Sequence, residues 1–263
     1  MCRTGSSAQI QSPPLDTSIY HYRALVGGLN YIACGTRPDI TYAVNQVSRY
    51  ANAPTQQHWA IAIDCMRYLV HTKWWGIVLG SGGAIDHSFV KHKMAPPLPS
   101  TVHAVAYADA NHGTGIDDRK SVTGSLIQVL GGPVSWGSHV QPTQSTSTVD
   151  SEIHAMSVAS REALWVAKMQ RQFGLNWRPC LIRGDSSGAI SAVKNHSYTK
   201  HTKHIGIHQD FMRAMYRLGD LDFQHISGAD NPADIFTKAL PQPAFTRHRQ
   251  NIGMMELPSH LRK

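Results

Sequence analysis

Four acidic residues in the second half of the chain have the chemistry and the positions to bind metal ions. Asp109 and Asp185 each end a short apolar run that predicts a strand, whereas Glu152 and Asp234 each begin a stretch with helical spacing. Carboxylates at strand ends and helix starts can meet at one edge of a sheet, where their charges repel unless a cation neutralises them. Hard ions such as Mg²⁺ take oxygen ligands and keep positions open for water and phosphate. The four acids therefore indicate two-metal phosphodiester chemistry.

The composition indicates a soluble, basic protein with a substantial core. The chain has 263 residues, of which 41% are hydrophobic, and its 25 Lys and Arg against 17 Asp and Glu give a net charge of +8. This length suits one large domain or two small ones. The positive charge favours a polyanionic partner, and nucleic acid is the commonest one; the alternative is a merely basic surface.

The cysteines and the apolar stretches exclude several other classes. Cys2, Cys34, Cys65 and Cys180 contain no CxxC pair, so neither a disulfide framework nor a zinc finger is expected, and a reducing compartment is the simpler assumption. The N-terminus has no hydrophobic signal region, and no apolar stretch approaches the roughly 20 residues of a membrane span. We therefore expect neither a membrane partner nor a small-molecule cofactor.

The elements that must position the acids follow a helical first part. Residues 1–16 are polar and predict a disordered lead, and residues 17–80 carry three apolar stripes at helical spacing. Glycine and proline between residues 81 and 100 predict a linker. The second unit should occupy residues 101–253, with residues 254–263 as a tail.

From residue 101 the pattern changes to short strands, of which the second and third are joined by a tight turn at Gly131-Gly132. The predicted strands span residues 102–109, about 122–130, 133–140, 180–184 and 221–226. The predicted helices span residues 148–173, 186–194, 203–218 and 232–240. This order predicts a mixed α/β fold, a five-stranded mixed sheet with flanking helices.

The motifs in this order resemble the end of the Pol polyprotein of copia-type LTR retrotransposons, over about residues 19–253. In the first part they are Tyr22–Tyr31, Thr36–Ile40, Ser48–Tyr50 and His58-Trp59. In the second part they are Tyr107–Ala110, Asp117–Gly124, Val134–Trp136, Ser151-Glu152, Gly184–Ser186, Thr202–Ile205 and Ala233–Lys238. Each motif is weak alone, but together and in this order they are specific.

The resemblance implies that the helical part follows a reverse-transcriptase palm and that the second unit is a ribonuclease H-like domain. It implies that Asp109, Glu152, Asp185 and Asp234 bind two Mg²⁺ ions, which Mn²⁺ can replace, and that the RNA strand of an RNA–DNA hybrid is cut. It also implies other polymerase segments as partners and a cytoplasmic, virus-like particle location.

Other side chains have candidate roles beside the acids. His225 can assist proton transfer or product release, although a structural hydrogen bond is the simpler role for a histidine there. Contacts to the nucleic-acid backbone are expected from Arg119, Lys120, Ser121, Thr123, Lys200, Lys203 and His204.

Two further hypotheses remain beside an active nuclease. The chain can be a non-catalytic module that binds hybrid without cutting it, or an inert relic of a degenerate element. The four intact acids favour the nuclease.

Overall fold

The computed structural model describes residues 12–79, 101–102, 104–113, 119–177, 179–195 and 206–262. The predicted linker at 81–100 lies outside the described residues. So do Lys200, Lys203 and His204, three of the residues expected to contact nucleic acid.

Three helices form the first unit, as the apolar stripes predict. They are α1 (Tyr22–Gly35), α2 (Thr41–Ser48) and α3 (Gln56–His71), with a 3₁₀ turn at Pro38–Ile40 before α2. Thr55 caps α3 in a reciprocal capping box with His58. The helices share a core that includes the fully buried Leu29. We call α1–α3 the helical unit.

The end of the predicted disordered lead is ordered in the described part. Pro14 forms an antiparallel bridge with Thr55, and the Leu15 amide donates to the carbonyl of Pro54. The Leu15 side chain is buried in the core of the helical unit. The polar composition of residues 1–16 concealed the apolar anchor Leu15, so the prediction is wrong for residues 12–16, the part of the lead that the structure describes.

A five-stranded mixed sheet dominates the second unit and confirms the predicted fold class. After two short strands, β1 (Trp75–Ile77) and β2 (Thr101–Val102), its members are β3 (Ala104–Asn111), β4 (Val122–Val129), β5 (Gly132–Val140), β7 (Cys180–Gly184) and β8 (Leu221–His225). The strand order is β5-β4-β3-β7-β8. Strands β3, β4 and β5 are antiparallel neighbours, whereas β3, β7 and β8 are parallel. Strand β6 (Asn176–Trp177) pairs with β2. This sheet with its flanking helices is a ribonuclease H-like fold.

Helices cover one face of the sheet and carry the main core. Helix α4 (Thr148–Gln172) begins at its cap Ser147, whose side chain accepts from the Asp150 amide. Helices α5 (Ser187–Lys194) and α6 (Gly206–Arg217) complete this layer. Small residues such as Ala106 and Ala159 are fully buried, and they let α4 approach β3 closely.

The C-terminal segment covers the other face and differs from the prediction. The helix expected at 232–240 is a 3₁₀ helix of Pro232–Phe236, followed by α7 (Gln242–Asn251), which the sequence did not reveal. Asn231 caps the 3₁₀ helix by accepting from the Ala233 amide. Pro241 disfavours helical backbone in the residue before it, which acts against a helix that continues through residue 240.

The predicted tail is also structured. Strand β9 (Met254–Glu256) pairs antiparallel with β1 of the first unit. The tight turn lies one residue earlier than predicted, because Leu130 and Gly131 have φ of 53° and 77° and Gly132 already belongs to β5.

The two units are bonded to each other at several points besides the β1–β9 pair. Trp136 Nε1 on β5 donates to the carbonyl of Ala33 at 2.9 Å, and Asn45 Nδ2 donates to the carbonyl of Ser138. None of the helices in the described ranges has the length and apolar character needed to cross a membrane.

Candidate functional site

Asp109 lies near the end of β3 and is almost completely buried. Its carboxylate accepts a short hydrogen bond from the Thr237 hydroxyl. The opposite residue on β4 is Gly124, and a Cβ at that position would lie 2.7 Å from Thr237 Cγ2 and 2.8 Å from the Ala233 carbonyl oxygen. The glycine therefore allows the 3₁₀ helix and Thr237 to reach Asp109.

The structure brings three of the four predicted acids together. Asp109, Glu152 and Asp185 each offer a carboxylate oxygen within 4.8 Å of the others. Asp185 follows β7, which runs parallel to β3, so the two carboxylates share one edge of the sheet. Glu152 is held over this edge by the first turns of α4. The convergence expected from strand ends and a helix start is present for these three.

Burial and mutual repulsion make this cluster a poor place for bare negative charge. Burial and then the charge of Asp234 raise the pKa of Asp109 to about 7. Burial, then Asp109 and Asp185, raise the pKa of Glu152 to about 9. Glu152 Oε2 is buried and has no hydrogen-bond partner among the described residues. A set of crowded carboxylate oxygens with an unused buried ligand atom fits a hard divalent cation.

Asp234 lies beside the trio and is paired with a cation of the protein. Its Oδ1 is 2.8 Å from the ammonium of Lys238, four residues further on. Burial lowers the pKa of Lys238, but the bond to Asp234 and the nearby Asp109 outweigh it and raise that pKa overall. Asp234 therefore interacts through its charge with the other acids, but it is not one of the three whose carboxylate oxygens meet.

Sequence reasoning missed Thr237 and Lys238 as site residues. Both lie within the motif Ala233–Lys238, and an acid followed by a lysine four residues later is a spacing at which side chains pair. Asn231 was missed as well; it is fully buried and its Nδ2 donates to the Ala108 carbonyl at 2.9 Å, next to Asp109.

His225 is the last residue of β8 and is exposed at the same edge. Its Nε2 lies 3.0 Å from the backbone carbonyl of Asp185. Because a carbonyl only accepts, Nε2 carries the proton in this bond. The bond attaches His225 to the residue that bears a site carboxylate, while its part in proton transfer stays a prediction.

The remaining residues predicted to contact nucleic acid fall into two groups. Arg119 is exposed, with φ of 49°, and Lys120 follows it. Ser121 and Thr123 are buried: Ser121 Oγ accepts from the Gly113 amide, and Thr123 Oγ1 accepts from Gln141. Their hydroxyls serve the fold, so we do not include these two side chains in the proposed interface.

Comparison with known proteins identifies the family. The chain is 34% identical over 233 residues to the retrovirus-related Pol polyprotein from transposon TNT 1-94 of Nicotiana tabacum, which covers 89% of this chain. It is 32% identical over 238 residues to the corresponding polyprotein from transposon RE2 of Arabidopsis thaliana, which covers 90% of this chain. The chain belongs to the copia-type retrotransposon Pol family. No protein-family model matches it.

This copia-type chain spans only a small part of its relatives, 16% of the TNT 1-94 polyprotein and 15% of the RE2 polyprotein. Among solved structures, it is similar to LC11-RNase H1, with a TM-score of 0.41 and 16% identity over 51% of this chain and 92% of that one.

Proposed function

We propose that this copia-type chain is a Mg²⁺-dependent endonuclease that cuts the RNA strand of RNA–DNA hybrids during reverse transcription of a retrotransposon. The observation that carries the proposal is the meeting of Asp109, Glu152 and Asp185 within 4.8 Å on a ribonuclease H-like sheet. The net charge of +8 supports a nucleic-acid substrate.

Asp109, Glu152 and Asp185 would hold a Mg²⁺ ion, and Asp234 would extend the ligand set towards a second. Bound in pairs, such ions activate water and stabilise the leaving oxygen of a phosphodiester. Mn²⁺, which also prefers carboxylate ligands, would replace Mg²⁺.

The protein's own groups set up the site. Thr237 fixes the orientation of the Asp109 carboxylate through its hydroxyl. Lys238 balances the charge of Asp234 at 2.8 Å, so that the acids can crowd without unfolding this edge. His225, fixed on the Asp185 carbonyl through Nε2, would take up or release a proton through Nδ1.

The substrate is gripped through its backbone, and hybrid shape is read rather than sequence. Arg119 and Lys120 come shortly before β4, whose first residue, Val122, pairs with Asn111 at the end of β3 that carries Asp109. Glu152 would help to detect the ribose 2′-hydroxyl, which separates RNA from DNA. Hydrolysis would then leave 3′-hydroxyl and 5′-phosphate ends.

The proposal is tested with the purified chain and an end-labelled RNA–DNA hybrid in Mg²⁺. We expect cleavage of the RNA strand, none of a DNA duplex of the same sequence, and none in EDTA. Asp109→Asn removes charge at nearly constant volume and should abolish cutting, whereas Glu162→Gln, further along α4, should retain it. Hybrid binding without cleavage by the unaltered chain would instead favour a non-catalytic binding module.

A further inference from the structure

A cavity of about 260 Å³ lies between the helical unit and the segment that follows Asp234. Its helical-unit wall includes Tyr42 and Tyr68, and its other wall includes Lys238, Phe245 and Arg249. The rings of Tyr68 and Phe245 meet edge to face, with centroids 6.1 Å apart. This volume suits a ligand smaller than a typical drug.

The cavity presents a net positive wall. Its one acidic lining residue, Asp39, is neutralised from behind by Arg37, whose Nε and Nη2 bind the two carboxylate oxygens at 2.9 and 2.8 Å. Tyr68 also donates to Asp39 Oδ2 at 2.6 Å. Lys238 and Arg249 both line the cavity, and because Asp234 balances Lys238, Arg249 supplies the unbalanced positive charge.

Arg249 has donor capacity left for a ligand. Its guanidinium lies 3.5 Å from the centroid of the Trp75 ring, and Nη1 donates to the Tyr68 hydroxyl at 3.0 Å. No carboxylate pairs with this guanidinium in the described part of the chain, so an anionic ligand in the cavity would supply the missing counter-charge.

We propose that this cavity binds a small aromatic carboxylic acid, with its ring against Tyr42, Tyr68 and Phe245 and its carboxylate on Arg249. The cavity also extends to the acidic site, because Lys238 lines the cavity and pairs with Asp234. The bound carboxylate shares Lys238 and weakens its pair with Asp234. This second effect rests on the proposed metal site, whereas binding itself does not.

The binding test uses 2-naphthoate and the full chain in EDTA, measured by calorimetry or ligand-observed NMR. A ligand of this size should bind with a dissociation constant on the order of 1 mM or below. The neutral 2-naphthylmethanol should bind at least tenfold more weakly, since it lacks the charge that Arg249 recognises. The absence of saturable naphthoate binding, or equal binding of the two probes, would overturn the proposal.

Three variants locate the site. Ala239→Phe fills the cavity from an exposed wall position, and Arg249→Gln removes its cation; each should weaken naphthoate binding at least tenfold. Arg247→Gln, on the same helix but outside the cavity lining, should bind within twofold of the unaltered chain. Thermal unfolding confirms that each variant is folded. Unchanged binding by folded Ala239→Phe refutes the location.

The coupling is measured as Mn²⁺ affinity by electron paramagnetic resonance, with and without saturating naphthoate. Freeing Asp234 from Lys238 adds a ligand, so the affinity for Mn²⁺ should rise at least threefold in the unaltered chain and not in Ala239→Phe. An unchanged affinity with naphthoate bound overturns the coupling. A chain that binds naphthoate in EDTA but no Mn²⁺ supports the cavity while refuting the proposed nuclease site.

Discussion

Glu152→Gln should stabilise the metal-free protein although it removes a site ligand. The Glu152 carboxyl is buried against Asp109 and Asp185, and these causes raise its pKa from 4.5 to about 9. A carboxyl with a raised pKa favours the folded state most below its unfolded pKa of 4.5, and this contribution is lost as the pH rises towards 9. Glutamine has the same shape and no charge to bury.

The expected gain in stability follows from the distance between the unfolded pKa of Glu152 and the pH of the assay. At about 1.4 kcal/mol per pH unit, the 2.5 units between 4.5 and pH 7 correspond to roughly 3 kcal/mol. Because the site is at a solvent-facing edge, we expect about 1–3 kcal/mol at pH 7 and under about 1 kcal/mol at pH 5. For a chain of this length, this raises Tm by about 3–10 °C at pH 7.

The assay is thermal unfolding followed by circular dichroism in EDTA at pH 5, 7 and 8.5, repeated with Mg²⁺. Mg²⁺ should stabilise the unaltered chain and stabilise Glu152→Gln far less. Glu162→Gln is the matched control: it changes a half-buried glutamate on the same helix, bonded to Ser125 and Ser135, and should keep the full response to Mg²⁺. If Glu152→Gln is less stable than the unaltered chain at pH 7 in EDTA, or if its gain in stability does not grow with pH, the buried charge of Glu152 does not destabilise the metal-free protein.

Of three other substitutions, two test the parts that hold the site and one tests a buried ion pair of the helical unit. Thr237→Val removes the hydroxyl bonded to Asp109 and should lower hybrid cleavage at least tenfold while costing about 1 kcal/mol of stability in urea unfolding; cleavage within twofold would contradict the positioning role. Asp39→Asn leaves Arg37 buried without its partner and should cost about 3–5 kcal/mol in denaturant unfolding, whereas a loss below 1 kcal/mol would show that this pair is not needed. Gly124→Ala places a methyl group against the 3₁₀ helix. It should lower the free energy of unfolding by about 1–3 kcal/mol and should also reduce hybrid cleavage; normal activity would mean that this close approach is dispensable.

The sequence predicted most of the fold because its elements have strong local patterns. The apolar runs before Asp109 and Asp185 lie in strands β3 and β7, and the long stripe from residue 148 is a long helix. The meeting of Asp109, Glu152 and Asp185 could be predicted from these elements, since the ends of parallel strands share an edge of the sheet. The fourth acid was harder: Asp234 comes close only because Gly124 and Asn231 allow the 3₁₀ helix to dock, which depends on contacts far apart in the sequence.

The C-terminal segment could not be predicted for a related reason. Helix α7 is mostly polar: its buried residue is His248 and its one large apolar side chain, Phe245, is partly buried, so it has no apolar stripe to reveal it. Strand β9 has three residues and exists because β1, far away in the chain, pairs with it. Local propensity cannot supply such partners. The burial of Ser121 and Thr123 was hidden in the same way, because polar residues in a strand otherwise suggest an exposed face.

The most direct measurement is a crystal structure of the chain soaked with Mn²⁺, read by anomalous scattering. We expect an anomalous peak coordinated by carboxylate oxygens of Asp109, Glu152 and Asp185, and loss of that peak in Asp109→Asn. No peak at these three residues in saturating Mn²⁺, or carboxylates that lie apart in the crystal, would contradict it.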